Sequence, residues 1–203
     1  MSDATEKSAG GQFRLLGSRR FAPLFLTQFL GAFNDNLFKN ALIVLVTFQS
    51  AQWTSMRPEI LANLAAGLFI LPFFFFSATS GQLADKYDKA MLARLTKLLE
   101  IGIMIVAIAG FLVHSLALLL GALFLLGLQS TLFGPVKYAI LPQHLSEEEL
   151  VGGNAQVEAG TFVAILIGTL AGGLLAGAGV DAVWIAMAGF AVAVAGYLAS
   201  RGI

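Results

Sequence analysis

Six stretches of this chain are too apolar to form the surface of a water-soluble protein, and together they occupy most of it. They run over residues 21–47, 60–80, 98–113, 116–134, 154–180 and 183–200. A helix needs about 20 mostly apolar residues to cross the hydrocarbon. Only helices and closed barrels satisfy every backbone polar group there. Each stretch therefore predicts a transmembrane helix, and the class is all-α integral membrane protein. With 203 residues in total, short connections remain and no soluble domain fits. The third and fourth runs are divided only by His114 and Ser115, which predicts a very tight turn and two short spans. Residues 1–20 are polar and lack an apolar h-region, so they read as a tail rather than a cleavable signal. Residues 21–203 form the six-helix bundle.

The few charges carry more information than the many apolar residues. Only 12 % of the chain is charged, against about 25 % in soluble proteins. Lys7, Arg14, Arg19 and Arg20 precede the first span. Lys86, Lys89, Arg94 and Lys97 fall between the second and third, Lys137 follows the fourth and Arg201 the sixth. Arg57 alone lies on the opposite side. That asymmetry predicts that both termini are cytoplasmic. Twelve basic residues against twelve acidic leave no excess for nucleic acid. The absence of cysteine removes disulfides, thiolate nucleophiles and Cys metal sites.

Polar side chains within the spans mark the candidate site. Asp35 lies fourteen residues into the first span, about 20 Å along a helix. An Asp or Lys at that depth costs roughly 2.5–3.5 kcal/mol, so it needs a cavity or a partner. At about 100° per residue, Gln28, Asp35 and Lys39 share a narrow stripe flanked by Asn36 and Asn40. The stripe predicts a polar interior; the alternative is an intrahelical Asp35–Lys39 pair. In the fifth span Asn154, Glu158, Thr161 and Thr169 share a face. They supply a second buried acid, unless Glu158 snorkels to the interface. Gly168 with Gly172, and Gly173 with Gly177, form two small-residue ridges for close helix packing.

Elsewhere the motifs are local. The segment from Gly81 to Arg94, with Asp85, Lys86 and Lys89, reads as a charged loop. Gly134-Pro135 predicts a break or kink that frees carbonyls at the end of the fourth helix. Lys137 after it is either a topology anchor or an anion contact. Ser146 and Glu149 have the spacing of a capping box. The run Phe73–Phe76 lines a lateral gap or simply faces lipid. No His pair, nucleophile elbow or phosphate-cradling loop appears, so no catalytic residue, metal or cofactor is expected.

These motifs together resemble the major facilitator superfamily. Gly81 and Asp85 match its signature between helices two and three, although Asp88 and Lys89 stand where a second Gly and an Arg are usual. Within the superfamily the chain is similar to bacterial lysophospholipid transporters, including those fused to a phospholipid acyltransferase. The likeness is carried by Gln28–Asn36, Gly134–Leu141 and Asn154–Gly173. The resemblance implies the N-terminal half of a twelve-helix fold, six helices in a 3+3 inverted repeat. The partner is then a C-terminal half not included here, or a second copy. It implies alternating-access movement of lysophospholipids across the bacterial inner membrane, with no enzymatic activity. Asp35 and Glu158 match acidic positions of the family's polar cavity, where an ethanolamine ammonium would pair. Lys39 or Lys137 would meet the phosphate, and Tyr138 belongs to the same matched motif as Lys137. Three alternatives stand beside this: a proton-coupled exporter of small amphiphiles or drugs, the membrane part of an acyltransferase fusion, and a non-transporting structural subunit.

Overall fold

In lipid, a helix ends where its backbone can find water or a cap, and apolar content alone underestimates its length. A computed structural model describes residues 14–49 and 53–203; Lys7 and the rest of the expected tail up to residue 13 lie outside them. After a 3₁₀ turn at Leu15–Gly17 come α1 (Ala22–Phe48), α2 (Pro58–Lys86), α3 (Lys89–Leu112), α4 (Leu116–His144), α5 (Glu147–Gly177) and α6 (Ala182–Ser200). All six are long and apolar enough to cross a membrane. Among the described residues there is no strand.

Three boundaries differ from those expected. The segment from Gly81 to Arg94 is not a loop. Gly81, Asp85 and Lys86 lie in the last turns of α2, Lys89 and Arg94 in the first turns of α3, and Tyr87-Asp88 alone connect them. Asp88 accepts the Met91 N–H at 2.7 Å, capping α3 where the superfamily signature departs. Consequently α3 starts at Lys89 rather than residue 98, and Lys97 belongs to the helix, not to a cytoplasmic loop. Finally, α4 runs through Gly134-Pro135 to His144. Pro135 has no N–H for the Thr131 carbonyl, and Ser80 of α2 supplies the missing donor, Oγ to Thr131 O at 2.6 Å. Carbonyls are freed as expected, but the helix does not end there. Ser80→Ala should therefore cost about 1–3 kcal/mol, read as earlier thermal unfolding in detergent at unchanged helix content.

Other local expectations hold. Glu149 accepts the Ser146 N–H at 3.0 Å and completes the capping box of α5. His114 sits at the tight turn with φ 51°, but not alone: its ring stacks on Trp53 at 5.5 Å.

Packing follows a repeat. α1 lies mainly against α5 and α6, α4 against α2 and α3, and α3 against α6. Exchanging α1–α3 for α4–α6 in order maps these pairings onto one another, as a 3+3 arrangement requires. Small residues set the approach of α5 to α1: a side chain at Gly172 would run into the Leu37 carbonyl, and one at Gly168 into the Phe33 carbonyl. Gly173 and Gly177 meet nothing within 4 Å, so the second ridge packs no helix of this bundle. Gly172→Val should cost about 1–3 kcal/mol or more through overpacking and lower membrane abundance. Gly173→Val should not, and a quantitative blot of both compares them.

The core is split. One apolar cluster gathers around Leu37, Phe38, Met104, Leu119 and Leu126. A smaller one gathers around Phe21, Leu24, Ala93, Val136 and Ile140. On α1, α3 and α4 the buried residues between the two clusters are polar or glycine, and this layer holds the candidate site.

Candidate functional site

Residues of α1 enter that layer because successive turns return to the same side. Gln28 and Asp35 sit two turns apart, with Gly31 between them, and all three line a cavity of about 280 Å³. Asn36 and Lys137 line it too, with Ser130 and Thr161, and its apolar walls are Phe69, Phe73, Phe133 and Ile165. Asp35 is 5 % exposed. Its Oδ2 accepts the Ser130 hydroxyl from α4, while its Oδ1 is buried without a hydrogen-bond partner. Gln28 is fixed from α5: its Nε2 donates to the Val157 carbonyl at 3.3 Å, and its Oε1 accepts from Thr161 at 2.7 Å.

The layer's deepest charges went unrecognised in the sequence. Lys97 and Glu100, both on α3, are wholly buried and paired at 2.6 Å. Glu100 also accepts from Asn34 of α1 at 2.8 Å and from Gln129 of α4 at 3.4 Å. The ammonium of Lys97 lies over the Phe133 ring, 5.6 Å from its centroid, and against Gly31, where any side chain would collide with it. Lys97 thereby reaches the cavity wall. A signal for this was present. Ala93, Lys97, Glu100, Met104, Ala107 and Phe111 recur at intervals of three and four and are all buried, which is one helix face.

The other expected residues are distributed more widely. Lys39 does not pair with Asp35. Its Nζ donates to Asn36 Oδ1 at 2.8 Å and sits 4.8 Å from the centroid of Phe69, so the intrahelical neutralisation does not form. Asn40 donates to Thr169 of α5 at 3.1 Å. Glu158 is not a second buried acid. Its side chain is 44 % exposed, it lies 3.6 Å from Lys137, and it accepts the Tyr138 hydroxyl. It lies about three turns into α5, roughly 16 Å from its start. Asn154 turns back to the Leu150 carbonyl of its own helix at 2.8 Å. Gly81, Asp85, Lys86 and Lys89 take no part in the cavity, and Arg94 donates to the Ile203 carbonyl at 2.9 Å. In the aromatic run, Phe73 faces the cavity, whereas Phe74 is 81 % exposed.

A cavity that joins an unpartnered carboxylate oxygen, buried amides and aromatic walls suits a solute with both a polar and an apolar part. Comparison with known proteins agrees with the fold. The sequence profile of the Major Facilitator Superfamily matches residues 24–201. The chain belongs to this superfamily. A lysophospholipid transporter LplT of Klebsiella pneumoniae subsp. pneumoniae is 31 % identical over 164 residues, covering 79 % of this chain and 38 % of the transporter. The same figures hold for an LplT of Escherichia coli strain SE11. An LplT of Serratia proteamaculans is 31 % identical over 159 residues, 78 % of this chain and 37 % of the transporter. The chain thus spans less than two-fifths of these relatives' length. No solved structure matches it. Superfamily membership identifies the six helices as half of a major facilitator fold, and the matched relatives are named as transporters.

Proposed function

We propose that this chain is the cavity-bearing half of a lysophospholipid carrier that works by alternating access in the bacterial inner membrane. The observation that carries the reading is the free Oδ1 of Asp35 in a cavity walled by Phe69, Phe73 and Phe133. A buried carboxylate oxygen without a partner loses its hydration and gains nothing in return. An ammonium head group would satisfy it, while a single acyl chain would lie along the aromatic wall. The similarity to LplT transporters supports the same cargo. A second six-helix half, from the remainder of a longer chain or from a second copy, would close the other side.

Uptake of labelled lysophosphatidylethanolamine by spheroplasts expressing the complete gene product tests this. Uptake above a vector control is expected; none would refute the cargo. The topology is tested separately. Because this chain has no cysteine, single cysteines at Arg57 and Lys89 report sidedness against a background free of its own thiols. A membrane-impermeant maleimide should label the position-57 variant in intact cells, and the position-89 variant only after lysis. The reverse labelling would invert the orientation.

A further inference from the structure

We propose that Lys97 is the anion contact of the cavity, holding the phosphate of the head group whose ammonium meets Asp35; this rests on the cargo reading above. Lysine carries three donors, and the Lys97 ammonium makes one hydrogen bond, to Glu100. Its Nζ lies against Gly31 and over the ring of Phe133, which both line the cavity. Glu100 does not consume the cation. It is held in turn by Asn34 and Gln129, so it orients Lys97 and balances its charge while two donors stay available. Gly31 leaves room for the ammonium to touch the wall.

Spacing separates Lys97 from the other cations. Gly31 is one turn from Asp35, about 6 Å along α1. That matches a head group in which a two-carbon link joins phosphate to amine. Lys137 lies two turns beyond Ser130, about 10 Å along α4, and is already beside Glu158. The Lys39 ammonium makes its own hydrogen bond to Asn36 and lies over Phe69, and unlike Lys97 it does not line the cavity. The cavity thus places the spare carboxylate oxygen of Asp35 about a turn from the Lys97 ammonium, with Lys137 farther off. This is complementary to a zwitterion of phosphate and ammonium.

The test uses the purified complete gene product and three single-chain probes: lysophosphatidylethanolamine, lysophosphatidic acid (phosphate without ammonium) and sphingosine (ammonium without phosphate). Lys97→Met/Glu100→Gln removes both charges together; the new amide accepts from one of Asn34 and Gln129 and donates to the other once that residue's amide flips, so it should fold. It should bind lysophosphatidic acid at least about tenfold more weakly, the size of a lost charge-assisted hydrogen bond, and bind sphingosine as the wild type does. Asp35→Asn should show the opposite selectivity. Millimolar glycerol 3-phosphate distinguishes the source of the phosphate. Failure to displace lysophosphatidic acid marks a lipid site, and displacement that depends on Lys97 marks a site open to soluble phosphate esters; both uphold the anion contact. Undiminished lysophosphatidic acid binding in the double variant overturns the role of Lys97 and leaves the cargo intact. A wild-type protein that binds none of the three probes overturns the cargo and this inference with it.

Discussion

Glu100→Leu is expected to destabilise the bundle by about 3–5 kcal/mol, the usual cost of leaving one member of a buried ion pair without the other. Lys97 would remain charged and wholly buried beside Gly31 and Phe133. Asn34 and Gln129 would lose the acceptor that ties α1 and α4 to α3. Lys97→Met should fail for the mirror reason, since Glu100 keeps its amide donors but loses its counter-charge. Substituting both as Lys97→Met/Glu100→Gln should recover most of the loss, because no uncompensated charge is left and both amides keep a partner. Melting temperature in detergent and membrane abundance read this directly. Single variants as stable as the double would mean that the pair is hydrated in the membrane and that the polar layer is held by something else.

The sequence reveals the helices far better than the pairings between them. Six runs are legible because hydrocarbon tolerates no unpaired backbone, so apolar length alone is decisive. Asp35 is legible for a related reason: it stands deep in an apolar run where charge is costly. Lys97 is misread because counting basic residues assigns any lysine near a span boundary to the cytoplasmic side, and α3 begins at Lys89, earlier than its apolar content indicates. Glu100 has meaning only through Asn34 and Gln129, which approach from two other helices, and no local pattern in α3 names them. Glu158 errs the other way. Its place on a polar face suggests burial, but its carboxylate is half exposed beside Lys137 and Tyr138. The Gly134-Pro135 pair predicts an interruption, and the donor that keeps α4 continuous is Ser80, distant in sequence. The identity of each element is therefore local, while the chemistry of the polar layer is tertiary.

Asp35→Asn is the second large effect. Ser130 could still donate to the amide, and the side chain keeps its size, so folding should be nearly unchanged. What disappears is the negative charge and the acceptor whose Oδ1 has no partner within the protein. A charge-assisted hydrogen bond contributes about 1.5–3 kcal/mol, so transport of an ammonium-bearing lysolipid should fall by at least about tenfold. Glu158→Gln should weaken it far less, because that carboxylate is half exposed and already beside Lys137.

The most direct measurement is the initial rate of lysophosphatidylethanolamine uptake by spheroplasts carrying the complete gene product, wild type against Asp35→Asn, at matched membrane abundance. A fall of at least about tenfold in the variant is the result this account predicts. Equal rates would remove Asp35 from the transport path and contradict it.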